Sequence, residues 1–147
     1  MAIKSVSLLW SSMGLVVVSS LLYHWSQKTI PAAASPLASL TVSYVVALVL
    51  SVGLFPFVGP HVPLAEALRA LNASSVLLGV SIVGIELGFL LAYRSGWPIN
   101  LASLTSSVVT IVLLVPIGML IFHEGWSMRR TLGLLLCLAG LVLVGRP

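Results

Sequence analysis

The chain has 147 residues, of which 59% are hydrophobic and 7% are charged, and its formal net charge is +4. A soluble domain has roughly a quarter of its residues charged, so this composition excludes a soluble fold and indicates an integral membrane protein. The seven Lys and Arg residues are scattered and lie mostly at the edges of apolar runs, which is typical of interfacial anchors rather than of a nucleic-acid surface.

Five apolar stretches approach the ~20 residues that a helix needs to cross a bilayer. They are residues 3–23, 36–58, 74–93, 98–122 and 130–144, and the last is short for a full crossing. Pro36 and Pro98 stand where a helix can begin, and Pro56 precedes the end of the second stretch. Continuous apolar runs lack the alternation of barrel strands, and backbone amides in hydrocarbon need partners within their own segment. The sequence therefore predicts an all-α membrane protein, folded as a single transmembrane domain with a bundle of five transmembrane helices.

Polar residues outside these stretches indicate loops and surfaces. The segment PLAEALRAL, residues 63–71, predicts a short amphipathic helix on the membrane surface. His24, His61 and His123 fall near predicted helix ends without the spacing of metal ligands. Cys137 is the sole cysteine, so no intrachain disulfide is possible. We expect no metal, no cofactor and no nucleic-acid partner.

The positive charges around the five stretches do not predict a single orientation of the chain in the membrane. An odd number of crossings places Lys4, Arg69, Arg129 and Arg130 on one side and Lys28, Arg94 and Arg146 on the other. This four-to-three division is nearly balanced, whereas the positive-inside rule needs a bias. The tally is compatible with insertion in both orientations, although near ties also arise by chance in short chains.

Three segments resemble a known transporter family. SLLWSSMGLVVVS at the start, SPLASLTVSYVVALVL in the second stretch and FHEGWSMRRTLGLLLCLAGLVLVG at the end are similar to the five-helix unit of the drug/metabolite transporter superfamily (EamA-like). The most specific part is the closing pattern of Glu124, Arg130, Gly133 and Gly140. The ending also resembles the last helix of small multidrug-resistance proteins.

The resemblance implies one half of a ten-helix inverted-repeat transporter. Most relatives join two five-helix units, the second inverted relative to the first, and such transporters bind substrate near the bilayer midplane. A single unit restores this architecture as an antiparallel homodimer, which the charge tally also allows. Because the first helix of the family lines the central cavity, the resemblance implies that Trp10 and Ser11 lie near the substrate. Plain helix packing is the alternative for both residues.

One carboxylate, Glu86, stands in the middle of the apolar run LLGVSIVGIELGFLLAYRSGW. An ionisable group at mid-bilayer costs roughly 2.5 kcal/mol or more and usually faces the bundle interior or a wet cavity. We expect Glu86 to alternate between a protonated form and a form neutralised by a cationic substrate, so that proton entry and cation exit compete for one group. The alternative is a permanently protonated side chain that joins helices through a hydrogen bond.

The third and fourth stretches add candidate binding residues. Asn100, Ser103 and Ser107 follow helical spacing on one face, and this polar line either contacts a substrate pathway or makes ordinary interhelical hydrogen bonds. Tyr93 either offers an aromatic face to a cation or anchors its helix at the membrane interface.

The last stretch carries small residues on one face. Gly133, Cys137 and Gly140 form a smooth stripe that suits close contact between helices. We expect this stripe to be the dimer seam, and a contact within one protomer is the alternative.

These features predict a proton-coupled secondary transporter of a small cationic or amphiphilic metabolite or drug, acting as a homodimer in the cell (inner) membrane. A different class stays open, a non-transporting membrane subunit that binds or stabilises a partner protein. An enzyme is disfavoured, because Glu66, Glu86 and Glu124 lie at different predicted depths and the sequence offers no nucleophile–base pair or metal cluster.

Overall fold

The computed structural model describes residues 2–58, 63–123, 125 and 127–145, with side chains from residue 8 onward. His61, Glu124 and Arg146, named above, lie outside the described residues, as does the side chain of Lys4. Every regular element in the described part is an α-helix. The helices are α1 Ala2–Thr29, α2 Pro36–Val58, α3 Leu64–Arg69, α4 Ala73–Arg94, α5 Ile99–Leu120 and α6 Met128–Val144.

Four of the described helices are long and apolar enough to cross a membrane. They are α2, α4, α5 and the part Leu8–Thr29 of α1. The all-α prediction is confirmed for the described residues, and the four apolar helices support the prediction of a membrane protein. Helix α6 has 17 residues, fewer than the ~20 of a typical crossing, so a fifth crossing stays a prediction.

Local sequence signals account for the starts of three helices. Helix α2 begins at Pro36, where the missing N–H of proline removes no helical hydrogen bond. Asn72 caps α4 by accepting a hydrogen bond from the Ser74 backbone N–H at 3.0 Å. Ser127 caps α6 in the same way, accepting from the Arg130 N–H at 3.4 Å. Each cap satisfies an amide that has no partner within the helix.

Helix α1 is longer than the sequence patterns predict, ending at Thr29 rather than at residue 23. The aromatic and polar residues after residue 23 mark a change of environment along the helix, but residues 24–29 contain no glycine or proline to stop it. The first such residue is Pro31, two residues after the helix ends. His24, predicted near a helix end, is therefore an internal residue of α1.

The described residues group into two compact units, each held by one pair of packed helices. The first, called the α2–α4 unit, comprises the described residues of Trp25–Ser95, and α2 packs on α4 there. The second, called the α5–α6 unit, comprises those of Met1–His24 and Gly96–Pro147, and α5 packs on α6 there.

Few apolar side chains are buried within these units. Leu40 and Leu90 are buried in the α2–α4 unit, and Ala102 and Val108 in the α5–α6 unit. By contrast, Leu48 in the middle of α2 is 64% exposed. In lipid such side chains contact acyl chains, and helix association depends on close packing and polar contacts rather than on removing apolar surface from water.

Candidate functional site

The candidate site is built around Glu86, which lies about two turns before the end of α4. Glu86 is half-buried, and its backbone carbonyl accepts a hydrogen bond from Nε2 of Gln27 at 3.3 Å. Gln27, near the end of α1, is 6% exposed. A buried amide is costly unless it is hydrogen-bonded, so this bond attaches the end of α1 to α4 beside the carboxyl-bearing residue.

Helix α2 contributes Tyr44 to the same site. Helix α2 packs on α4, and the Tyr44 phenol lies within electrostatic range of the Glu86 carboxyl group. The Tyr44 hydroxyl is buried and makes no hydrogen bond within the part of the chain that the structure describes. Because leaving a buried hydroxyl unpaired costs about 1–3 kcal/mol, such a group is typical of a site that a water molecule or a ligand completes.

One to two helical turns further along α4 the surroundings become aromatic and cationic. Tyr93 is 5% exposed and stacks on Phe89, with ring centroids 5.9 Å apart. The Lys28 Nζ lies 5.6 Å from the centre of the Tyr93 ring and donates to the Tyr93 carbonyl at 3.5 Å. The aromatic face that the sequence offers to a cation thus already contacts a cation of this chain.

Arg94 fixes the connection between α1 and α2 against the end of α4. Its Nη2 donates to the carbonyl of Ala34 at 2.7 Å and to that of Pro31 at 3.3 Å. Hydrogen bonds from a charged donor are stronger than those between neutral groups. Since the connection follows directly on the end of α1, these bonds help to hold Gln27 beside Glu86.

We call the three side chains of Gln27, Tyr44 and Glu86 the Glu86 cluster. They combine an amide, a phenol and a carboxyl group, and they come from three different helices. Such a set can donate to a carboxylate, accept from a protonated acid, or surround a cation whose charge the carboxylate neutralises. The carboxyl group of this set can therefore be neutralised either by a proton or by a nearby positive charge.

The residues expected near the substrate from the first helix lie in the α5–α6 unit. Trp10 is 70% exposed. The Ser11 hydroxyl donates to the carbonyl of Leu8 at 3.0 Å, so its one O–H donor is used within α1. Of the predicted site residues, Glu86 and Tyr93 share the α2–α4 unit and lie two helical turns apart on one face of α4.

The predicted polar line on α5 also lies in the α5–α6 unit. Ser103 is half-buried, whereas Asn100 and Ser107 are exposed. The buried positions next to them are Ala102 and Val108, so the most buried face of α5 is apolar and the polar line lies beside it. These three residues stay predicted site residues.

The three residues of the expected dimer seam all lie on α6, where the two glycines face open space and the cysteine lines a cleft. A Cβ atom added at Gly133 or Gly140 would meet nothing within 4 Å, so neither glycine makes a close helix contact within the described residues. Cys137 is exposed and lines a cleft between α5 and α6.

Sequence reasoning missed three residues at this site, Gln27, Lys28 and Tyr44. Gln27 and Lys28 follow an apolar stretch, which made them look like loop residues. Tyr44 gave a usable signal, because tyrosines of membrane helices concentrate at the interfaces, and this one stands well inside the stretch SPLASLTVSYVVALVL.

The chain was compared with protein-family models, with curated proteins and with solved structures. No match was found. The resemblance of the three segments to the drug/metabolite transporter superfamily therefore stays a prediction from the sequence.

Proposed function

We propose that the protein is a proton-coupled secondary transporter of a small cationic or amphiphilic metabolite or drug in the cell inner membrane. The observation that carries the proposal is the position of Glu86, half-buried in a helix long enough to cross a membrane. The buried Gln27 and the Tyr44 hydroxyl beside it support the same conclusion. Ionisable residues within membrane helices commonly mark substrate and proton pathways.

The proposed cycle follows from the cost of a bare charge in hydrocarbon. A carboxylate removed from water needs a proton or a compensating cation. In the proton-loaded form, Glu86 is neutral. In the substrate-loaded form, the cation neutralises the Glu86 carboxylate, and the Tyr44 hydroxyl donates a hydrogen bond to that carboxylate. Since proton and substrate compete for one group, binding of either accompanies release of the other.

We further propose an antiparallel homodimer of units with five crossings, in which α6 is the fifth. The nearly balanced positive charges of the loops support dual insertion, and the family resemblance supports an inverted repeat. The open space around Gly133 and Gly140 leaves room for a helix of a second copy at the expected seam. The short α6 would cross by local thinning of the bilayer or with the help of its flanking residues.

Proton-coupled transport can be tested with purified protein in liposomes. A pH-sensitive dye inside the vesicles reports proton movement when quaternary amines, protonated amines or amphiphilic cations are added outside. We expect at least one of these classes to drive proton movement, and we expect Glu86→Gln to abolish it. Glu66→Gln, on the short helix α3, makes the same chemical change outside the site and should transport normally. If no cation moves protons and Glu86→Gln behaves as the native protein, the proposal fails.

Orientation has a separate test in reporter fusions to the C-terminus. Dual insertion predicts that a fluorescent reporter active on one side and an enzymatic reporter active on the other both give signal in the same strain. A signal from one reporter alone would contradict the antiparallel dimer and leave a parallel assembly.

A second candidate function is a membrane subunit that binds a partner protein without transporting. The observation that favours it is the GxxxG pair of α4, where a Cβ added at Gly84 or Gly88 would meet nothing within 4 Å. Such pairs permit close approach of another membrane helix. This candidate predicts that Gly84→Leu releases a co-purifying membrane protein, whereas the transporter proposal predicts cation-driven proton movement by the isolated chain.

A further inference from the structure

The α5–α6 unit contains a cleft that is separate from the Glu86 cluster and shares one residue, Cys137, with the expected dimer seam. Its volume is about 360 Å³, within the range of ~300–1,000 Å³ that small-molecule sites occupy. Its lining includes Ile111, Leu114 and Met119 of α5 and Arg130, Leu134 and Cys137 of α6. All of these belong to one pair of packed helices, and we call the space between them the α5–α6 cleft.

The lining of the cleft is polar at one end and apolar along its length. Arg130 is in the first turn of α6, which begins shortly after the end of α5, so its charge lies at the end of the apolar helix pair. Cys137 lies two helical turns further along α6, about 10 Å away at 1.5 Å per residue. A ligand that fills the cleft must therefore combine an anionic group with an apolar chain.

The Arg130 side chain is held at this end of the cleft. Its Nη1 donates to the carbonyl of Gly125 at 2.9 Å, and its backbone N–H is capped by Ser127. That side-chain bond uses one of the five N–H donors of a guanidinium group, which leaves a fork of donors suited to a phosphate. The start of α6 adds the positive end of a helix dipole.

We propose that the α5–α6 cleft binds one anionic phospholipid of the surrounding bilayer. The headgroup phosphate accepts hydrogen bonds from Arg130, and one acyl chain lies along the apolar side chains between the helices. The local charge favours an anionic lipid, since residues 121–130 of the sequence contain two arginines and one acid, Glu124. A positively charged substrate would be repelled by Arg130, so this site is distinct from the Glu86 cluster and independent of it.

The proposal can be tested by native mass spectrometry of the full chain released from micelles that contain phosphatidylglycerol and phosphatidylcholine in equal amounts. We expect one phosphatidylglycerol to be retained per chain in preference to phosphatidylcholine. One basic residue near a membrane surface is worth about 1 kcal/mol toward an anionic lipid, so Arg130→Gln should lower the retention about five-fold. Arg129→Gln removes the neighbouring charge, which does not line the cleft, and should lower the retention less.

A second variant tests the apolar part of the cleft without changing its charge. Leu134→Trp fills the space between the helices and should also reduce the retention, provided that circular dichroism shows the native helix content. Inorganic phosphate added at millimolar concentration should leave the lipid bound, since it lacks an acyl chain. Equal retention of the two lipids, equal effects of Arg129→Gln and Arg130→Gln, or displacement by inorganic phosphate would each overturn the proposal.

Cys137 gives an independent readout in a bilayer, because it is the sole cysteine and lines the cleft. A bound lipid covers the thiol, so alkylation by N-ethylmaleimide should be slower in nanodiscs of phosphatidylglycerol than in nanodiscs of phosphatidylcholine. Arg130→Gln should remove this difference. Equal alkylation rates of the native protein in the two lipids would contradict a lipid in the cleft.

Discussion

Replacing Arg94 with alanine should lower the free energy of unfolding of the α2–α4 unit, because the variant loses the two hydrogen bonds that Arg94 donates. The bond to the Ala34 carbonyl is short, at 2.7 Å, and a bond from a charged donor contributes about 1.5–3 kcal/mol. The bond to the Pro31 carbonyl is longer, at 3.3 Å, and exposed, so we assign it about 0.5 kcal/mol. Water will reach the two carbonyls in the variant and recover part of this energy, which leaves an expected loss of about 2 kcal/mol.

The assay is thermal unfolding in detergent micelles, followed by circular dichroism. For a chain of this length a loss of 1 kcal/mol lowers the midpoint by roughly 2–4 °C, so Arg94→Ala should unfold about 4–8 °C below the native protein. Arg69→Ala, at the exposed end of helix α3, controls for the loss of one exposed positive charge and should shift the midpoint by no more than about 2 °C. If both variants have the same unfolding midpoint as the native protein, Arg94 does not hold the connection between α1 and α2.

Three further substitutions test the contacts around Glu86 with the same unfolding assay. Gln27→Leu removes the bond to the Glu86 carbonyl and should cost about 1 kcal/mol, and an unchanged midpoint would contradict the attachment of α1 to α4. Lys28→Met keeps the length of the side chain but removes both the charge over the Tyr93 ring and the donor to the Tyr93 carbonyl. It should lower the free energy of unfolding by about 1–2 kcal/mol, and a larger loss in high salt than in low salt would contradict this. Tyr44→Phe removes a buried hydroxyl that lacks a bond in the described residues, so it should raise stability by up to about 1 kcal/mol, and a loss of that size would show that the hydroxyl is bonded.

The sequence predicts the helices well wherever a strong local signal marks their ends. Helix α2 runs from residue 36 to 58 as its prolines indicate, and α4 and α5 begin and end within one or two residues of the predicted limits. Helix α1 departs most from the prediction, because a change from apolar to polar residues was taken as an end. In membrane helices that change marks the edge of the hydrocarbon, and the hydrogen-bonded backbone continues until a residue such as Pro31 interrupts it.

The candidate site was predictable in part. Glu86 stands out because a single acid in an apolar run is conspicuous in any reading of the sequence. The contributions of Gln27 and Tyr44 depend on which helices pack together, and that pairing leaves little trace in helices that are apolar on all sides. For the same reason the sequence could not indicate that Tyr93 would contact Lys28, since these residues are far apart in the chain and meet through packing.

The shortness of α6 links the protein to the thickness of its host membrane. A helix of 17 residues rises about 25 Å, whereas the hydrocarbon layer of a typical bilayer measures about 30 Å. If α6 crosses, lipids with shorter acyl tails relieve this shortfall, and each ångström of mismatch carries a fraction of a kcal/mol. Growth temperature, by altering the length of the lipid tails, would then change how readily α6 inserts across the bilayer. It would thereby also change how much fully inserted protein a cell accumulates.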